Sequence, residues 1–199
     1  MTGELTDAAS RRGLTQVLAL MKQRSIATVE EAIALEHAVA SSAERALAQV
    51  IELHDPADAL RTLWEMKFRP IGCDPLNSET PLNLIEQLNQ TFTYIASARA
   101  VVTLFELHPH LAPFTLNLGN IGGSDIESGL AGELACEVFA AVSTSNNQKL
   151  NKDLAKVAAT GAEHKYVFFM CPGFNAGRQP KLERVPGVQV WAVGERHER

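Results

Sequence analysis

The stretch that decides the fold is GSDIESGLAGELACEVFAAVS, residues 123–143. It reads as two short strands, SDIES (124–128) and LACEVFAAVS (134–143), joined by the turn residues GLAGE. Asp125 and Glu137 stand inside these strands among apolar neighbours. An ionised carboxylate is costly to bury unless a partner or a metal compensates it. Two of them on neighbouring strands therefore call for an explanation, structural or catalytic.

Working outward, FTLNLG (114–119) reads as a strand just before this pair, so three short-linked strands suggest a meander. Upstream, PLNLIEQLNQTFTYIASARAVVTLFELHP (81–109) has the length and apolar content of a central helix opened by Pro81. Glu86 and Gln90 are four apart and share a face of it. Downstream, SNNQKLNKDLAKVAATG (145–161) reads as a helix with Ser145 or Asn146 as N-cap and Gly161 as C-cap. KYVFFMC (165–171) is a continuous apolar run, as in a strand covered on both faces. A basic loop, PGFNAGRQPKLERVPG, then leads to a last strand, VQVWAVG (188–194). From residue 81 the order helix, three strands, helix, strand, strand predicts an α/β fold: a central mixed sheet with helices on both sides.

Residues 3 to about 67 read as wholly helical. GLTQVLALMKQR places Leu14, Val17, Leu18 and Met21 on one helical stripe, and Thr28 with Glu31 forms a capping-box pattern for a long Ala-rich helix. Pro56 is placed to open the next helix, and FRPIGCDPLNSETP (68–81) reads as a linker. The expected organisation is a helical extension over 1–70 followed by an α/β domain over 81–199.

At this point the chain resembles a known group. The αβββαβ order, with acids in the second and third strands, looks like the PD-(D/E)XK nuclease superfamily, which has the restriction-endonuclease-like fold. The resemblance covers about residues 81–193 and rests on topology and acid placement, since the motifs are short. It implies that Asp125 and Glu137 bind Mg²⁺ or Mn²⁺, assisted by Glu86 from the helix and supported by Gln90. The family places a lysine two residues after the second acid, but here that position is Phe139. Losing such an electrostatic stabiliser costs on the order of 3 kcal/mol in the transition state. Lys149, in the first turn of the following helix, is the first candidate to replace it, and Gln148 the second. The implied function is a divalent-metal-dependent endonuclease or related nucleic-acid-processing protein. Lys152, Arg178, Lys181 and Arg184 would contact phosphates.

Independent physics supports the same pairing. Side chains alternate along a strand, so Glu137 shares a face with Ala135, Phe139 and Ala141, whose two alanines leave room beside it. Magnesium keeps several waters, so two or three carboxylates suffice. Charge is uneven along the chain: residues 81–148 carry one basic and six acidic side chains, whereas 149–199 carry nine basic and five acidic. The basic third could meet a phosphate backbone.

Plain structural readings stand beside these. Asp125 could cap a turn, Glu137 could form a structural ion pair, and Glu86 with Gln90 could be a wet helix face. Lys149, Lys152 and Lys156 could be a solvated face. The alternative functions are an inactive nuclease-fold scaffold, favoured by the net charge of −5 and the missing lysine, and an unrelated small-molecule enzyme working at an α/β sheet edge. GNIGG (119–123) lacks the helix and Lys-Ser/Thr of a phosphate-binding loop and reads as a hairpin turn. No apolar run is long enough to span a membrane, and the N-terminus lacks a signal-peptide h-region. Three widely spaced cysteines argue for a reducing cytoplasm. The N-terminal helices, with their apolar faces, are expected to serve homodimerisation.

Overall fold

The computed structural model describes residues 23–53, 55–119 and 122–194. The helical stripe expected over Leu14 to Met21 lies outside them. Long-range pairing sets the first departure from the sequence reading: Gln23–Ile26 is a strand, β1, rather than helix. It pairs antiparallel with β4 (Phe114–Asn117), with Ile26 opposite Phe114. Four residues carry no usable local periodicity, and the partner strand makes them extended.

Helix α1 (Val29–Leu53) starts where the capping box predicts. Thr28 Oγ1 accepts the Glu31 N–H at 3.2 Å, and the Glu31 carboxylate reaches back to the Ala27 N–H at 2.7 Å. Helix α2 (Ala59–Phe68) starts after Asp58, not at Pro56, because the Asp58 carboxylate accepts the Arg61 N–H at 2.9 Å. The segment expected to be a linker holds a two-stranded hairpin, β2 (Gly72–Asp74) and β3 (Asn77–Leu82). Gln87 explains its order: buried, its side-chain oxygen accepts the Cys73 N–H at 2.7 Å and its amide donates to the Ser42 carbonyl at 3.2 Å. Pro81 accordingly sits in β3, and helix α3 (Leu84–Leu107) is capped by Asn83.

The remaining elements are β5 (Ile126–Ser128), β6 (Leu134–Ala140), α4 (Lys149–Ala158), β7 (His164–Met170), β8 (Gly177–Arg178) and β9 (Val188–Ala192). Helix α4 ends at Ala158 with Ala159 as its C-cap, so Gly161 lies beyond it. The seven-stranded sheet runs β1-β4-β5-β6-β7-β9-β8. It is mixed: β4, β5 and β6 form an antiparallel meander, whereas β6, β7 and β9 are parallel.

The period-2 alternation assigns each strand residue to one of two cores. Cys136, Val138, Tyr166 and Phe168 pack with Tyr94, Val101 and Leu104 of α3 on one face. Phe139, Val167, Phe169 and Val190 pack with Leu150, Leu154 and Val157 of α4 on the other. Ile26, Ala32 and Val39 join the α3 core, so β1 and α1 share a hydrophobic centre with the sheet.

Candidate active site

The site begins with strand register. Ile126 lies opposite Cys136 and Glu127 opposite Ala135, so one further step sets Asp125 opposite Glu137. Asp125 stands just outside β5, and its backbone carbonyl accepts the Asn117 N–H at 2.8 Å. Its carboxylate accepts the Val138 N–H, also at 2.8 Å. The acid thereby satisfies a backbone donor of β6 just beyond the last β5–β6 pair.

Alternation turns Glu137 to the α4 face, with Phe139. It is only 2 % exposed. Lys156 Nζ donates to its Oε2 at 2.8 Å, while Oε1 is buried and has no hydrogen-bond partner among the described residues. Asp153, one helical turn before Lys156 and equally buried, accepts the Lys149 ammonium at 2.7 Å through Oδ1. Its Oδ2 is likewise buried without a partner. Three carboxylates and two ammonium groups thus form one cluster between β5, β6 and α4.

Electrostatics follows from that crowding. Burial pushes the Glu137 carboxyl up to about 7, and Asp125 adds to the rise against the pull of Lys156. Burial also raises Asp125, opposed by the Val138 N–H and by both lysines. Asp153 is raised by burial too, against its Lys149 partner. For Lys156, burial pulls downward, but the hydrogen bond to Glu137 and the three surrounding carboxylates more than offset it and hold the ammonium charged. The arrangement keeps a cation beside a carboxylate pair of adjustable charge.

The residues predicted from sequence divide sharply. Asp125 and Glu137 are brought together. Lys149 joins them through Asp153, but Lys156, named in the sequence only as part of a solvated face, is the lysine that touches Glu137. The signal was present: α4 retraces β6, and seven residues of helix rise about 10 Å. Three residues of strand, from Ala140 back to Glu137, cover roughly the same distance. Gln148 is exposed, at φ 55, before the helix starts and does not enter the cluster.

Glu86 is not brought to the pair. It sits exposed on the first turn of α3, which packs against the Cys136 and Val138 face, opposite to Glu137. Gln90 lies on the same helix with its buried Oε1 unpartnered among the described residues. Lys152 and Lys181 are exposed. Arg184 reaches Asn151 of α4 at 3.4 Å, on the same side of the sheet as the cluster. Arg178 is held by both oxygens of Glu183, at 2.7 and 2.9 Å, on β8. That edge strand is three positions from β6, roughly 14 Å away.

No group of three or more His, Cys, Asp or Glu side chains among the described residues is arranged to hold a metal ion. Glu137 Oε1 is buried with no hydrogen-bond partner among the described residues. A cleft of about 740 Å³ opens at the C-terminal ends of β6, β7 and β9, past Ala140 rather than over Glu137. No helix among the described residues is long and apolar enough to cross a membrane. Comparison of the chain with protein-family models, with curated proteins and with solved structures found no match.

Proposed function

We propose that the chain is a divalent-metal-dependent nuclease with a restriction-endonuclease-like core, in which Lys156 of α4 takes the place of the lysine missing at Phe139. One observation carries this reading: Asp125 and Glu137 stand opposite each other in register, with the Lys156 ammonium 2.8 Å from Glu137. The order α3, β4-β5-β6, α4, β7 supports it, with an antiparallel meander followed by a parallel strand.

Asp125 and Glu137 would hold the Mg²⁺ or Mn²⁺. When bound, the ion neutralises a phosphodiester and lowers the pKa of its water. The chain's own residues do the rest. Val138 fixes the Asp125 carboxylate through its N–H, so the acid is positioned before any ligand arrives. Lys156 presents a cation where charge develops on a phosphate, in a site screened from water on its sheet side. Lys152, Lys181 and Arg184 are exposed on the same side as α4 and give phosphate contacts to a nucleic acid, whereas Arg178 is already paired.

A second reading has one observation in its favour. Lys156 and Lys149 already neutralise two of the carboxylates, which is also what an inactive scaffold needs. Calorimetric titration of Mn²⁺ into wild type and Glu137→Ala separates the two. Binding that disappears in the variant, followed by metal-dependent cleavage of DNA or RNA, supports the nuclease. Absence of binding in both proteins favours the scaffold.

A further inference from the structure

Open α/β sheets bind their ligands in the crevice at the carboxyl ends of their strands. The cleft of about 740 Å³ lies at that end, against Ala140 of β6, Met170 of β7 and Gly194 just past β9. Its volume falls within the roughly 300–1,000 Å³ of small-molecule sites. Helix α3 supplies one wall through Leu88, Asn89 and Phe92, which share a face because residues three and four apart are neighbours. Phe92 is 49 % exposed and has no ring partner among the described residues. A second wall follows β7. Pro172 and Gly173, the latter at φ 82, turn the chain and bring Phe174 to the cleft. Phe169 meets the Phe174 ring edge to face at 4.9 Å and so orients it before any ligand arrives.

The polar lining narrows the chemistry. Among the described residues no charged side chain lines the cleft, and two amides, Asn89 and Asn146, do. Neither amide has a hydrogen-bond partner among the described residues. A primary amide offers a donor and an acceptor side by side. Two aromatic rings, two free amides and no charge suit a flat, neutral heteroaromatic ring with donors and acceptors along its edge. Aromatic side chains stack nucleobases, and asparagine pairs with the N6 and N7 edge of adenine.

We propose that the cleft holds one unpaired nucleobase, with its ring on Phe92 and Phe174 and its polar edge on the amides of Asn89 and Asn146. The sugar and any phosphate stay at the mouth, in solvent. This site needs no metal ion and stands apart from the Asp125 and Glu137 pair. That the base comes from a nucleic-acid strand, rather than from a free nucleoside, rests on the proposed function above.

Titration of the full, isotopically labelled chain with adenosine tests the cleft. Proton–nitrogen NMR is expected to show the side-chain amides of Asn89 and Asn146 shifting. Phe92→Leu keeps apolar bulk without a ring and is expected to weaken binding about tenfold, whereas Phe92→Trp restores it. Phe92 is half exposed, so both variants are expected to fold. Amide signals unmoved at millimolar adenosine, or equal affinity in wild type and Phe92→Leu, overturn the assignment.

A second arm identifies the source of the base. A short single-stranded DNA with adenine at its centre is compared with the same strand carrying an abasic site there. Binding about tenfold tighter for the intact strand supports a base taken from nucleic acid. Equal binding of the two strands, with adenosine still bound, overturns the strand as source and supports the free nucleoside. A protein that binds adenosine but shows no metal-dependent cleavage sinks the nuclease reading and supports this site independently of it.

Discussion

Asp125 accepts the Val138 N–H at 2.8 Å, directly beside the residue it faces, Glu137. One carboxylate therefore serves the strand ladder and the other serves α4, so the two acids have separable structural roles.

That separation makes the choice of Asp125 substitution informative. Asp125→Asn keeps an oxygen for the Val138 N–H and is expected to melt within a degree or two of wild type while losing Mn²⁺ affinity. Asp125→Ala also abandons a backbone donor and is expected to cost a further 1–2 kcal/mol, approximately. Thermal melts beside calorimetry check this, and equal melting of both variants would deny the ladder role.

Glu137 sets a pH dependence. Its folded-state pKa, about 7, lies above the ordinary 4.5, so the folded protein holds this proton more tightly than the unfolded chain. The associated stability is fully present below pH 4.5 and is lost as pH rises through about 7. Asp125 and Asp153 are raised and slope the same way. His108, lowered by burial and by His164 and His110, slopes oppositely, losing stability as pH falls below 6.5. The difference between wild type and Glu137→Gln isolates the Glu137 part: their melting temperatures should diverge between pH 5 and 8, with the variant flatter.

Removing the ammonium affects stability and activity by different amounts. Lys156→Met leaves Glu137 buried and unpaired, but because Lys156 is half in solvent the cost should be about 1–2 kcal/mol at pH 8, below the 3–5 kcal/mol of a fully buried pair. Near pH 5, with Glu137 protonated, the cost should nearly vanish. If the nuclease reading holds, cleavage falls about a hundredfold or more. Chemical denaturation at the two pH values and single-turnover cleavage read the two effects apart.

Phosphate contacts are legible in salt dependence. Lys181→Ala and Arg184→Ala are each expected to weaken nucleic-acid binding similarly across sequences and to reduce the salt slope by about 1. Arg178→Ala, already paired with Glu183, is expected to change the slope little. Fluorescence anisotropy over a salt series distinguishes them, and an unchanged slope in all three removes this surface from the proposed interface.

Self-association has a specific surface. Leu47 and Ile51 of α1 and Leu60, Leu63, Trp64 and Phe68 of α2 are each more than half exposed. Apolar patches above roughly 300–600 Å² on a soluble chain mark contact surfaces. If a second copy covers this one, sedimentation should give a dimer that Trp64→Glu converts to monomer; a monomeric wild type rules out that dimer.

Local pattern was enough for the framework. Period-2 alternation and the glycine turns placed the meander and faced Asp125 with Glu137, because both signals act within a few residues. The alternating Tyr166, Val167, Phe168 and Phe169 likewise supply both faces of a covered strand. Capping chemistry located the start of α1 for the same reason. What the chain kept hidden depends on contacts far apart in sequence. QRSI is a strand because β4 lies beside it, and the hairpin at 72–82 is tied to the helices by Gln87, which reaches back to it. Glu86 and Lys156 traded their expected places in the site for one reason: a helix face is set by its own periodicity, but which face of the sheet the helix covers is set by how the sheet's two cores close. That closure put α3 behind Glu137 and α4 in front of it.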